Sequence, residues 1–207
     1  NTNVLNEYKT SKENLLESVN YEKDYKKYAD CTQPRIVEMN INVDIYPKKR
    51  DASFHEFYII KNKSEEPIDS VILNYNQSAE YKQLEFDIPT EKVFDDKNVG
   101  FAIYKFNEPL QPGDSTYFRI DMDVITKGFR NSGSNTRLLN NGTFLTTGSL
   151  PSFGYNEGYE ITDEKKRKKY DLPEKQLIAR ITDSTALQNT YISNDGDWIR
   201  FETVVST

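Results

Sequence analysis

Residues 37–45 read Val-Glu-Met-Asn-Ile-Asn-Val-Asp-Ile, so that Val37, Met39, Ile41, Val43 and Ile45 are apolar and Glu38, Asn40, Asn42 and Asp44 between them are polar. Such a period of two has one reading, because successive side chains of an extended chain point to opposite faces. One face is buried and the other is wet. The alternation returns at Leu84, Phe86 and Ile88, and again at Phe118, Ile120, Met122 and Val124. Further candidate strands lie at 53–61, 68–75, 99–106 and in the closing "DWIRFETVVST". Turn chemistry separates them: Pro47-Lys48-Lys49-Arg50-Asp51, then "KNKSEEP", then Pro112-Gly113-Asp114. Short strands at this spacing predict a mainly β chain folded as an antiparallel two-sheet β-sandwich.

Two segments break the β pattern. Residues 1–30 are charged, lack Gly and Pro, and read as helix, with Ser11 and Asn14 as a partial start signal. Leu5, Tyr8, Leu15 and Val19 share one helical face and Tyr21, Tyr25 and Tyr28 another, which predicts a bent or two-piece helix with its break near Asn20. The second segment is a short helix near 162–170, opened by Thr162-Asp163-Glu164, continued by the basic run Lys165–Lys169 and stopped before Pro173. The expected division is a helical linker or stalk over 1–30 and a β-sandwich domain over 31–207. The chain opens without a methionine and closes in a strand-like run, which reads as a segment cut from a longer protein.

Composition restricts the chemistry. Aromatic residues are 13% of the chain, with 14 Tyr and 11 Phe, enough to build a core. A net charge of −6 argues against a nucleic-acid partner, which needs clustered Lys and Arg. The single cysteine, Cys31, excludes an internal disulfide and reads as an inert thiol. The stretch Phe54-His55-Glu56-Phe57-Tyr58-Ile59 begins like the zinc-peptidase signature HExxH, but Ile59 stands where the second histidine is needed, and His55 is the chain's only histidine. A strand sends His55 and Glu56 to opposite faces, so this stretch is read as neither catalytic nor metal-binding, and no cofactor is expected within it.

The remaining polar constellations have plain readings beside functional ones. Asp121 and Asp123 share the wet face of a strand. Lys165–Lys169, flanked by Asp163, Glu164, Asp171 and Glu174, reads as a solvated helix, with anionic lipid headgroups as the alternative contact. Residues 193–198, "SNDGDW", read as a turn rather than a calcium loop. Sequons occur at Asn62, Asn76 and Asn141. No run approaches the roughly 18 apolar residues of a membrane helix, and no signal-peptide core is present. The aromatic loop "SFGYNEGY" offers Phe153, Tyr155 and Tyr159 as candidate binding residues, the basis for reading the chain as a free-standing carbohydrate- or protein-binding sandwich.

A different reading comes from "QPRIVEMNINVDIYP", "KNKSEEPI" and "PLQPGDS", whose order resembles the N-terminal saddle-shaped β domain of the aminopeptidase N family of zinc metallopeptidases. "NTNVLNEY", "YEKDYKKY", "NGTF", "LPSFGYNEGYEITDEKKRKKYDLP" and "SNDGDWIRFETVVST" look like a bacterial branch joined to a multi-pass membrane segment resembling an ABC-transporter permease. The resemblance implies a non-catalytic domain that packs on a downstream catalytic domain of the same chain and shapes its substrate cleft. Zinc would be held in that downstream domain, and the substrate of the parent protein would be a peptide. The helix over 1–30 would lead from the membrane segment, and the sandwich would lie outside the cytoplasm.

Overall fold

The computed structural model describes residues 8–128, 137–175 and 198–207, together with Asn6, Thr182 and Ser184. The alternating stretch forms β1 (Arg35–Tyr46), in which Met39, Ile41, Val43 and Ile45 are buried. A turn with Arg50 at φ +62° leads into β2 (Asp51–Lys61). There follow β3 (Ile68–Asn74), β4 (Ala79–Phe86), β5 (Thr90–Asp96), β6 (Phe101–Leu110) and β7 (Ser115–Val124). A small β8–β9 hairpin (Leu138–Leu139 and Gly142–Thr143), β10 (Ser152–Phe153) and β11 (Arg200–Ser206) complete the strands among the described residues. β5 has no counterpart in the sequence reading, because "TEKVFDD" places charges on both faces and carries a register shift between Lys92 and Phe94.

The larger sheet has the order β11-β1-β2-β7-β4 and the other β10-β3-β6-β5, which gives the expected two-sheet sandwich. Its interior joins Met39, Ile41, Phe54, Tyr58, Phe118 and Ile120 to Val71, Leu73, Ala102, Tyr104 and Phe106 of the facing sheet. One pairing departs from the antiparallel rule: β11 runs parallel to β1, Glu38 opposite Arg200 through Asp44 opposite Ser206. A parallel neighbour needs a crossover, and here β1 and β11 are joined only through the chain that lies between Tyr46 and Arg200.

A third layer covers the smaller sheet. The helix α1 (Ser11–Tyr25) lays Tyr21 and Tyr25 on Ile72, Val99 and Phe101, on the face of β3 and β6 turned away from the sandwich interior. β3 is therefore enclosed from both sides, which explains why Val71, Ile72, Leu73 and Asn74 are all buried. The predicted break near Asn20 does not occur. α1 is continuous to Tyr25 and ends in a 3₁₀ turn at Lys26–Tyr28. Both stripes are used at once, for Leu15 and Val19 meet Ile161, Tyr170 and Leu172 while the tyrosines meet the sheet. Of the helix expected over 1–30, residues 8–10 are not helical, and α1 begins at a capping box, one residue before the partial start signal at Ser11: Glu13 N–H donates to Thr10 Oγ1 (3.2 Å) and Thr10 N–H to Glu13 Oε2 (2.6 Å).

Gly100 shapes the β5–β6 turn under this layer. Its φ is +67°, and a Cβ there would lie 2.1 Å from the Tyr75 carbonyl oxygen. Only glycine permits that approach.

Candidate functional site

The basic run forms α2 (Glu164–Lys169), with Asp163 Oδ1 accepting from Lys166 N–H at its start. Its end is fixed by Asp171 at φ +55°, with Leu172 N–H donating to Arg167 C=O (3.0 Å) and Leu172 itself buried. This is a Schellman closure with its apolar contact. The closure turns one side of the run inward. Lys165, Lys166, Lys168 and Lys169 are exposed as expected, but Arg167 is buried, so the run is not a uniformly solvated face.

Arg167 meets Glu22 of α1 through two parallel bonds, Nη1 to Oε2 (2.9 Å) and Nη2 to Oε1 (2.6 Å). Its remaining donors reach Ile161 C=O (2.6 Å) and Pro173 C=O (2.7 Å from Nε). A buried pair with every donor satisfied is the arrangement in which attraction offsets the loss of hydration. Beside it, buried Glu160 accepts from Lys26 (3.0 Å), Tyr155 Oη (3.2 Å) and Lys175 (2.9 Å). Burial works to raise its carboxyl, but Lys175 and Lys26 hold it below the ordinary value. These charges are spent on tying α1 to residues 155–175.

The aromatic candidates divide. Phe153 packs its ring against Phe86 and Phe118 in the sandwich. Tyr155 stacks on Tyr21 at 5.3 Å, and Tyr159 leans on the same ring at 4.9 Å with about two fifths of its surface exposed. Tyr21 Oη accepts from Asn156 N–H (3.0 Å), and burial pushes its hydroxyl up to about 12. The three residues thus do not form a common stacking platform.

Among the described residues, no group of three His, Cys, Asp or Glu is placed to hold a metal. His55 and Glu56 do take opposite faces, His55 exposed and Glu56 buried. His55 Nδ1 lies 2.9 Å from Asp121 Oδ1, and Asp123 pairs with Lys82 at 2.7 Å, on the outer face of β2, β7 and β4. One imidazole beside one carboxylate does not fit a zinc site. Cys31 is exposed. Asn62 is fully buried, and its amide donates to Glu66 C=O and Leu110 C=O at 2.8 Å each, so this sequon is closed in the fold. Asn141 is exposed, and Asn76 Oδ1 accepts from Ser78 N–H. Of "SNDGDW", residues 193–197 lie outside the described residues, and Trp198 is 98% exposed. No described helix is long and apolar enough to cross a membrane.

Two features go beyond the sequence reading. Glu56 sits in the sandwich interior between Ile41 and Ile120. It accepts a short hydrogen bond from Tyr58 Oη, and its Oε1 has no partner. Burial pushes this carboxyl up to about 7, against the opposing effect of the Tyr58 bond. The second feature is β11. It pairs with β1 along its length, yet all seven residues are exposed, Phe201 by 55%, Val204 by 58% and Val205 by 55%. The β1 residues in register with Phe201, Thr203 and Val205 are Met39, Ile41 and Val43, all buried. The apolar face of the larger sheet therefore continues onto β11, where its side chains are left uncovered.

No family model and no curated protein matches the sequence. Among solved structures, the M1 zinc metallopeptidase of Deinococcus radiodurans is similar over 45% of this chain and 20% of its own, with 12% identity and a TM-score of 0.36. A mutant two-domain M1 zinc metallopeptidase bound to L-tryptophan is similar over 51% of this chain and 23% of its own, with 11% identity and a TM-score of 0.37. Yeast LTA4 hydrolase is similar over 47% and 16%, with 13% identity and a TM-score of 0.35. The chain thus spans less than a quarter of the length of each of these proteins.

Proposed function

We propose that this chain is a non-catalytic β-sandwich domain that acts by docking, as the neighbour of the catalytic domain in an aminopeptidase N-type zinc metallopeptidase. The observation that carries the docking role is β11, whose Phe201 and Val205 extend the buried apolar face of β1 into the open. A contiguous apolar surface of this kind is a place where another folded unit sits. The resemblance of the quoted sequence stretches supplies the partner: the downstream part of the same chain, which would hold zinc and bind the peptide. The sandwich then lends a rigid wall to the substrate cleft. On the same resemblance, residues 1–30 lead from an ABC-permease-like membrane segment and the domain is extracytoplasmic.

The test compares the 207-residue chain with the longer protein. The short chain should show no turnover of an aminoacyl substrate and no stoichiometric zinc. In the longer protein, hydroxyl-radical footprinting should find Trp198, Phe201 and Val205 shielded. Turnover by the short chain overturns the non-catalytic assignment, and equal labelling in both chains overturns the docking surface.

A further inference from the structure

The two large sheets have four edges, and three are built against the addition of a further strand. β4 carries Glu80, Lys82 and Glu85 and a register shift between Tyr81 and Gln83. β5 carries Glu91, Lys92, Asp95 and Asp96 and its own register shift, and β10 is two residues long. Charges, bulges and brevity are the usual means of keeping an edge unpaired. β11 is less guarded: it has no bulge, it is seven residues long, and its two charges, Arg200 and Glu202, lie on the face opposite to Phe201 and Val205. Its seven pairs with β1 run without a shift, it contains neither Pro nor Lys, and three of its seven residues are exposed Phe or Val. Its outer edge has no strand partner among the described residues.

We propose that β11 is the seam of a twofold dimer, in which the β11 strands of two copies pair antiparallel and join two larger sheets into one. The side chains select the register. A twofold axis normal to the sheet keeps each face on its own side, so that Phe201, Thr203 and Val205 can oppose only one another. Centred on Thr203, the pairing sets Phe201 against the partner's Val205 twice over, and aromatic against β-branched is a favourable cross-strand pair. Arg200 then faces the partner's Ser206, and Glu202 the partner's Val204. Centred on Glu202, the strands would oppose two like charges. Centred on Val204, they would lose both Phe–Val pairs and put Phe201 against the partner's Thr207.

This seam uses the outer edge of β11, whereas the docking role uses its inner face, so the two stand or fall separately. The four apolar side chains at the seam would also double the apolar platform offered to a docked unit.

The experiment is sedimentation velocity on the 207-residue chain across a wide concentration range, with a shift from monomer to dimer expected. Phe201→Lys and Val205→Lys should each leave a monomer, while Val204→Lys, which would meet the partner's Glu202, should keep the dimer. All three positions are exposed, so an unchanged far-ultraviolet circular dichroism spectrum can be required of each variant as proof that it folds. In a Cys31→Ser background, Thr203→Cys should cross-link under oxidation, because opposed residues of an antiparallel pair lie about 4.5–5.5 Å apart, within reach of a disulfide. Val205→Cys should not. A monomer at every concentration overturns the proposal, as does a dimer that survives Phe201→Lys or that cross-links at 205 rather than 203. None of these outcomes depends on whether a zinc-bearing domain follows.

Discussion

Tyr21 in α1 and Phe201 in β11 are aromatic residues on regular elements far apart in the chain, the helix bonded within itself and the strand bonded to β1. Tyr21 is 1% exposed and touches Tyr25, Phe101, Tyr155 and Tyr159. Phe201 is more than half exposed. The difference separates two things that often occur together: hydrogen-bonded pairing sets an element's place, and burial of side chains fixes it there. α1 is held by the second, reinforced by the Glu22–Arg167 pair, whereas β11 has the first alone.

Breaking the ion pair should show the largest contrast. Arg167→Met strips the enclosed Glu22 of its two parallel bonds and leaves it only the Lys26 ammonium at 3.6 Å, and should cost about 3–5 kcal/mol by chemical denaturation. Adding Glu22→Leu should recover most of that loss, since an apolar pair of similar volume removes the stranded charge. Next in size is Glu56→Gln. Burial holds the folded carboxyl at about 7 against an ordinary 4.5, so its protonated form stabilises the fold below about 4.5, and this contribution is lost as the pH rises through about 7. The wild-type chain should therefore lose on the order of 3 kcal/mol from this group between pH 4.5 and pH 9. The Gln variant should lack that slope in melts followed across the same range, and an unchanged slope would remove Glu56 from the account.

Tyr21→Phe keeps the ring stack and deletes the oxygen that accepts Asn156 N–H, which should cost about 1–2 kcal/mol. Smallest should be Val205→Ser on β11, within about 0.5 kcal/mol in the monomer, because little of that side chain is removed from water. A large effect there would mean that β11 is held by burial after all.

Much of this organisation was legible in the residues. β1 and β7 follow a strict period of two because each has one face on the interior and one in water. The same logic correctly parted His55 from Glu56, but not the further step that an acidic residue would take the inner face. Periodicity ranks faces by their apolar majority, and Ala52, Phe54, Tyr58 and Ile60 outvote one carboxyl. β5 was hidden because its register shift breaks the alternation. α1 looked like two pieces because its two stripes serve two different neighbours. The one arginine among four lysines in "KKRKK" was the available sign of an inward-facing residue, since a planar five-donor group suits a buried carboxylate as an ammonium does not. The exposure of β11 had no local sign at all. A strand covered on both faces and one covered on neither can carry the same letters.

The parallel pairing of β1 with β11 also bears on the order of assembly. Ser206 and Asp44, which are hydrogen-bonded across this pair, stand 162 positions apart in the chain. β1 and β2 can zip as a hairpin and β7 joins β2 after the intervening strands, Lys61 opposite Ser115, but the β1–β11 ladder closes only after nearly the whole chain has been brought back. Loop-closure entropy opposes such a contact, and little apolar burial is gained in return. β11 should therefore be the last strand to join on refolding and the first to leave on unfolding, a separable cooperative unit at the margin of an otherwise continuous sheet.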